Sequence, residues 1–473
     1  MDRQTEQGIA VRSPIHTPAS AKQTGATVSE RIAAQMCERS FLKLWSYPNV
    51  YRDQGRVGHG HGKELCDILT VFGDDVVIFS DKSCSFPGDP IPTRLAWRRW
   101  YKRAIHASIK QLLGAERWLR EHPQRLFLDR ACQVRFPIDL PPAERMRVHR
   151  IVVASGAAEP CRRFYGGDSG SLMLSPEGPS LLDERPHDDG AEPLPFVIGR
   201  LPDPFTHVLD EVTFPIVLGE LDTVADFASY LRAKEKLIER RELLFSAGEE
   251  HLLAYYLTAV GTGLTEFPKP PDGRKICVNE SLWPGVSTEP AYLQLKEFLR
   301  PSYAWDKIMQ MLSEDILADR MVMSDDEPAM HEQRIRALAR PPRSVRRELA
   351  IALGSLINDH TYATRFRAVQ DPRQSDTAFL FLVLSRGSEE DDAVYRRTRF
   401  HLMVGYCLVF SKQNPEIRHV VGICTGPAES GDDRAHEVAY LDRTEWTDEH
   451  DALAERYQRE CSLLTNVTVT RRT

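Results

Sequence analysis

Apolar positions change their period several times along this chain, and each change marks an element. Thr27-Val28-Ser29-Glu30 has capping-box spacing, and Ile32, Cys37, Phe41, Leu44 and Trp45 follow at helical intervals. The pattern predicts a helix from there to about Trp45, closed before Pro48, which has no amide proton to continue it. A Gly- and His-rich loop over 53–62 comes next. Two short apolar runs, 65–72 and 76–80, flank Gly73-Asp74-Asp75 and predict a β-hairpin. A long helix is expected over 94–121, with further strands near 126–136 and 148–155.

The later pattern differs. Residues 176–204 are loop-like and rich in Pro, Gly and acids, which suggests a boundary. Helices are expected from Asp222 or Thr223 to about Leu243, then over 249–260, 291–298, 303–319 and 332–356. Residues 378–384 form an unbroken apolar run, as in a buried strand. A helix over 392–412 separates it from a second apolar run at 419–424, which suggests a parallel βαβ crossover. A strand at 437–441 and a helix over 444–464 complete the chain. The expected organisation is a disordered tail over 1–28, an α/β domain over 29–175, a mainly helical domain over 205–360 and an α/β module over 375–473.

Composition narrows the class without naming it. The chain has 473 residues, 42% of them hydrophobic and 27% charged, which suits a globular multidomain protein. Its formal net charge of −7 provides no global field for nucleic acid, so any such site must be a local patch. The nine cysteines are odd in number and contain no CxxC pair, which argues against a disulfide framework or a structural zinc site and points to a cytoplasmic setting. No apolar run approaches the ~18 residues of a membrane span, and the polar N-terminus has no signal-like core.

The candidate chemistry lies around the hairpin. Glu38 shares a helical face with Ala34, Phe41 and Trp45, where an unused carboxylate is costly. Asp67 sits between Leu65 and Leu69 in the first strand, and the second strand ends in Ser80-Asp81-Lys82. A helix acid, a strand aspartate and a lysine on the neighbouring strand resemble the PD-(D/E)xK nuclease superfamily over about residues 30–155. The resemblance implies a restriction-endonuclease-like mixed-sheet core and hydrolysis of DNA or RNA phosphodiesters with Mg²⁺ or Mn²⁺. It implies metal ligation by Glu38 and Asp67, and a water-positioning or charge-stabilising role for Lys82.

This sequence departs from the family pattern at one position. Ser80 occupies the place of the acid expected two residues before Lys82. Either Asp81 turns inward through a bulge, Glu64 supplies the carboxylate, or the site is degenerate. The last case would leave a non-catalytic module that binds nucleic acid or protein. A nuclease with such appendages would suit a defence or restriction-type effector gated by its other domains, with a protein partner or a second copy of the chain as further expected partners.

Other motifs are weaker. Arg94, Arg98, Arg99, Lys102 and Arg103 interleave with Leu95, Trp97, Trp100 and Tyr101, as expected if the basic side chains track phosphates and an exposed aromatic stacks on a base. Arg334, Arg336, Arg340, Arg343, Arg346 and Arg347 read as a solvated basic helix face. Gly167-Asp168-Ser169-Gly170 imitates a serine-protease nucleophile loop, but a Gly-rich turn is the stronger reading. His59 and His61 flank a glycine in the loop before the hairpin. Thr425-Gly426-Pro427 follows a strand where open α/β sheets often bind ligands.

Overall fold

The computed structural model describes residues 25, 27–54, 60–182, 192–260, 266–271, 273–317, 328–371, 374–387, 391–428 and 436–465. Apart from Gly25, Thr27 and Val28, the expected disordered tail lies outside them, as does His59.

Thr27 caps α1 (Val28–Phe41) with the expected box: its hydroxyl accepts from the Glu30 amide, and the Glu30 carboxylate accepts from the Thr27 amide. The helix ends at Phe41, before the expected Trp45, and a strand missed in the sequence follows, β1 (Ser46–Arg52). Pro48 and the left-handed Asn49 (φ 54°) hide that strand. Its outer neighbour β4 (Leu126–Phe127) pairs only with Tyr51 and Arg52, so Pro48 sits on an edge-like stretch, where sheets tolerate proline.

The hairpin forms as read, with β2 (Lys63–Phe72) and β3 (Asp75–Ser83). A long helix, α2, follows in three joined pieces: Thr93–Tyr101, a π-turn at Lys102–His106, and Ala107–Glu121. Next come β5 (Arg147–Ser155), α3 (Ala158–Tyr165), β6 (Met173–Leu174), β7 (Val197–Ile198) and β8 (Thr206–Asp210). The first sheet has the order β4-β1-β2-β3-β5-β8, with β1 to β3 antiparallel and β5 and β8 parallel to β3. Its faces are covered differently. Phe79 meets Phe214 of α4 (Thr213–Glu220), which packs with α1, whereas Ser80 on the other face meets Gln111 of α2.

The middle of the chain is less purely helical than expected. Besides α5 (Val224–Glu239), capped by Thr223, and α6 (Glu249–Val260), it contains β9 (Leu243–Ser246) and β10 (Ile276–Val278). These two strands join β6 and β7 in a small second sheet. Helices α7 (Leu282–Thr288), α8 (Pro290–Leu299), α9 (Ser302–Leu317), α10 (Pro328–Ala339) and α11 (Arg343–Ile357) follow, with Pro341-Pro342 dividing the single helix expected over 332–356.

The C-terminal module contains the expected crossover. Strand β12 (Thr377–Leu384) runs parallel to β13 (His419–Thr425), with α12 (Asp392–Gln413) between them in the chain. Edge strands β11 (Thr364–Gln370) and β14 (His436–Asp442) are antiparallel to them, and α13 (Asp448–Cys461) ends the described fold. Both β8 and β11 lie beyond the domain limits expected from sequence. One hydrophobic core runs through all three sheets, and Trp305 of α9 packs edge-on against Phe379 and Phe381 of β12. All nine cysteines are free thiols, and among the described residues no helix is long and apolar enough to cross a membrane.

Candidate active site

Strands β2 and β3 pair in register from Phe72↔Asp75 to Ile68↔Phe79, and there the ladder stops. The next free amide on β3, that of Asp81, donates instead to Oδ2 of Asp67 at 2.5 Å. Meanwhile β3 stays paired with β5 as far as Ser83↔Ser155. The sheet therefore forks between β2 and β3, and two carboxyl side chains occupy the fork: Asp67 is 2% and Asp81 5% exposed.

Further charges surround them. Burial pushes the Asp67 carboxyl up to about 7; Glu64 and Glu30 push the same way, and Lys82 and the Asp81 amide pull against it. Burial also raises Glu64, assisted by Glu30 and opposed by Lys82, by Arg130 and by Asn49, whose Nδ2 donates to Glu64 Oε1 at 3.3 Å. Burial raises Asp81 too, with Glu30 adding to it and the Ser29 hydroxyl and Lys82 opposing. Lys82 acts on Asp67, Asp81 and Glu64, and Arg130 on Glu64 as well, against the charge of these three and of Glu30. Asp81 Oδ1 and Asn49 Oδ1 are buried without a hydrogen-bond partner among the described residues. Surplus negative charge and unused oxygens are a donor set suited to a hard divalent cation.

Of the residues singled out by sequence, Asp67, Glu64, Asp81 and Lys82 meet at the fork. Ser80 is buried but turns away, its hydroxyl donating to Gln111 Oε1 at 3.4 Å. The α1 acid whose charge reaches the fork is Glu30; Glu38 stands two turns further on, and its charge bears on the Cys37 thiol. The sequence spacing marks Glu30 only as a capping residue and gives Asn49 no place in the site. The left-handed backbone of Asn49, the clue to its placement, shows only in the fold.

The basic helix is adjacent to this site. Trp100 Nε1 donates to the Cys84 carbonyl at 2.8 Å and Arg103 Nη2 to the Ser85 carbonyl at 3.0 Å, which fixes the start of α2 to the segment leaving Lys82. Arg94, Arg98, Arg99, Lys102 and Arg103 are all exposed, Arg94 paired with Glu192 at 2.5 Å. The expectation of an exposed stacking aromatic fails here. Trp97, Trp100 and Tyr101 are at most 2% exposed, held in a ring cluster with Phe86 and Phe196.

Two other motifs turn out to be structural. Arg343 and Arg346 are not a solvated face; both are buried and ion-paired, Arg343 with Asp222 and Asp306, Arg346 with Asp306. Ser169 has no histidine partner among the described residues. Its hydroxyl accepts from the Ser171 amide at 3.3 Å and lies beside the buried Glu250.

A separate set, His149, His207 and Glu235, has donor atoms within 4.8 Å of one another, close enough to hold a metal. It lies near Asp75, at the far end of β3 from Lys82 and roughly 23 Å away at ~3.3 Å per residue. Its nitrogen donors would favour a softer ion than Mg²⁺. Each member is already hydrogen-bonded: Glu235 Oε1 bridges His149 Nδ1 and His207 Nε2, both at 2.9 Å.

Comparison with known proteins identifies no relative: no family model matches the chain, and neither curated proteins nor solved structures yield a match.

Proposed function

We propose that the protein is a metal-dependent nuclease whose active site is the β2–β3 fork. The observation that carries this reading is the gathering of Glu64, Asp67 and Asp81 beside Lys82 where the two strands separate, with the charge of Glu30 reaching all three carboxyls. The mixed sheet, a leading helix that contributes an acid, and two neighbouring strands bearing an aspartate and a lysine fit the restriction-endonuclease-like core implied by the resemblance. Mg²⁺ or Mn²⁺ would be held by Asp67, Asp81 and Glu64, with Glu30 adding charge. When bound, it would supply a more acidic water and neutralise charge on the scissile phosphate.

The chain's own groups do the rest. Lys82, half-buried beside Asp67, orients the attacking water or stabilises charge developing on the phosphoryl oxygens. The Asp81 amide fixes the Asp67 carboxylate, so that its free oxygen is presented in a defined direction. Exposed Arg98, Arg99 and Lys102 guide the polyanion toward the fork.

A second reading, a non-catalytic module that binds nucleic acid or protein, is favoured by Ser80, which stands in the acid's place and turns toward Gln111. Incubating supercoiled plasmid and labelled RNA with Mg²⁺ or Mn²⁺ separates the two. Cleavage abolished by both Asp67→Ala and Lys82→Ala supports the nuclease. Cleavage that survives both removes the fork from the chemistry, and no cleavage with either metal favours the binding module.

A further inference from the structure

The C-terminal sheet has an opening at one edge. Strands β12 and β13 run parallel and finish on the same side, with α12 connecting them. Just beyond β12, Ser385 and Arg386 line a cavity of about 490 Å³ together with His360, Thr361, Tyr362 and Arg365. Pro427, beyond β13, closes its other side. Open α/β sheets bind ligands in this crevice past the carboxyl ends of parallel strands, and the volume suits a small molecule.

Arg365 says what kind of molecule. It lies on β11 opposite Val383 and is only 4% exposed, yet its Nε and Nη2 have no hydrogen-bond acceptor among the described residues. Buried guanidinium donors without a partner are strongly unfavourable unless an acceptor arrives. The Nε–Nη2 edge is a planar fork that matches two oxygens of one oxyanion. No acidic residue lines the cavity among those described; the lining offers Arg365, His360, hydroxyl groups and Arg386, whose Nη1 also lies 3.4 Å from the exposed Asp392. Nearby Asp359 does not line the cavity: its Oδ1 accepts from the Thr361 amide at 2.9 Å and the Thr361 hydroxyl at 2.6 Å, and its charge reaches Arg365 and His360 without a hydrogen bond to the Arg365 Nε–Nη2 edge. Tyr362, 71% exposed, offers an uncovered aromatic face at the same cavity. An oxyanion fork beside a free aromatic face matches a phosphate attached to a base.

We propose that this cavity binds a mononucleotide, its phosphate on Arg365 and Arg386 and its base on Tyr362. The proposal is independent of the β2–β3 fork and stands whether or not the protein is a nuclease. Isothermal titration of the full chain with AMP, inorganic phosphate and adenosine tests it. AMP is expected to bind saturably, phosphate more weakly and adenosine more weakly still. Arg365→Gln should weaken AMP at least about tenfold, and Tyr362→Ala should weaken AMP about tenfold while leaving phosphate unchanged. No saturable AMP binding at millimolar concentration, equal affinity for phosphate and AMP, or undiminished AMP affinity in a folded Arg365→Gln protein would each overturn the proposal. Should that variant fail to fold, Arg386→Ala decides, because its side chain is 46% exposed and can be removed without opening the core. Unchanged AMP affinity in Arg386→Ala overturns the proposal, and a tenfold loss supports it.

Discussion

The Asp81 amide donates to the Asp67 carboxylate at 2.5 Å, at the point where strands β2 and β3 stop pairing. A side chain thus takes the place of the backbone carbonyl that would have continued the ladder. Burial raises this carboxyl from 3.8 to about 7, so the folded protein holds a proton there that the unfolded chain has released. The resulting stability is fully present below pH 3.8 and is lost as pH rises through about 7. Asp67→Asn keeps an oxygen for the Asp81 amide and removes the charge. It should stabilise the metal-free protein at pH 8 by on the order of 1–3 kcal/mol and have little effect at pH 4, while abolishing metal-dependent cleavage. Thermal melts at the two pH values, beside a plasmid assay, check both halves.

The same carboxyl sets the pH dependence of metal binding. A divalent cation needs the ionised form, so it must displace the proton that Asp67 retains below about 7. Mn²⁺ affinity should therefore climb up to about tenfold per pH unit below that value and level off above it. Titration of Mn²⁺ followed by electron paramagnetic resonance at pH 6, 7 and 8 reads this directly. An affinity that stays flat across the range would mean that Asp67 does not ligate.

Glu30 and Glu38 can be told apart by one pair of variants. Glu30→Gln preserves the capping box, because glutamine can also accept from the Thr27 amide, but removes the charge felt by Glu64, Asp67 and Asp81. It should weaken Mn²⁺ several-fold with little change in melting temperature. Glu38→Gln, two turns along α1, should leave metal affinity unchanged. Equal effects from both would return Glu38 to the site.

These residues show what the sequence could and could not reveal. The hairpin, the Thr27 cap and the βαβ crossover were legible because each depends on local chemistry: turn residues, a hydroxyl at cap spacing, an unbroken apolar run. Strand β1 was not, because Pro48 and the left-handed Asn49 contradict its local propensity and pairing with β2, and at its end with β4, holds it extended. Asp67 and Lys82 lie on the two strands of the hairpin, so their neighbourhood follows from the turn that joins those strands. The choice of Glu30 over Glu38 depends on how α1 lies against β3, a tertiary relation that helical periodicity does not encode. The arginines of α11 were misread for the same reason, since Asp222 and Asp306, their partners, lie far away in the chain.

The exposed basic face of α2 makes a prediction about salt. Arg98, Arg99 and Lys102 touch no core, so replacing all three with alanine should leave folding stability within about 0.5 kcal/mol. If they contact phosphates, affinity for a DNA fragment should fall regardless of its sequence, and each lost contact should reduce the salt slope by about 0.9. Measuring this in the Asp67→Asn background prevents cleavage during titration. An unchanged slope would reduce the cluster to a solvated face.

The network at the other end of β3 governs acid stability. His149 Nε2 lies 3.1 Å from Asp75 and its Nδ1 2.9 Å from Glu235, while His207 Nε2 is also 2.9 Å from Glu235. Burial alone would raise both carboxyls, but hydrogen bonds from His149, joined by Arg147 at Asp75 and His207 at Glu235, outweigh it and hold them well below the usual range. Their stabilisation is present above the unfolded values of 3.8 and 4.5 and is lost as pH falls through the lower folded ones. His207, pushed down to about 4 by burial, adds an earlier loss, because from pH 6.5 downward the unfolded chain takes up a proton that the fold refuses. His149 is raised and works in the opposite sense, its stabilisation declining as pH rises through its folded value. Urea melts from pH 8 to pH 3 should therefore show stability falling in two stages on the acid side. Glu235→Gln should remove about half of the stage below pH 4.5, because Asp75 keeps its own partners, and cost about 1–3 kcal/mol at pH 7. An acid profile unchanged by this substitution would show that the histidine–carboxylate network does not set the limit.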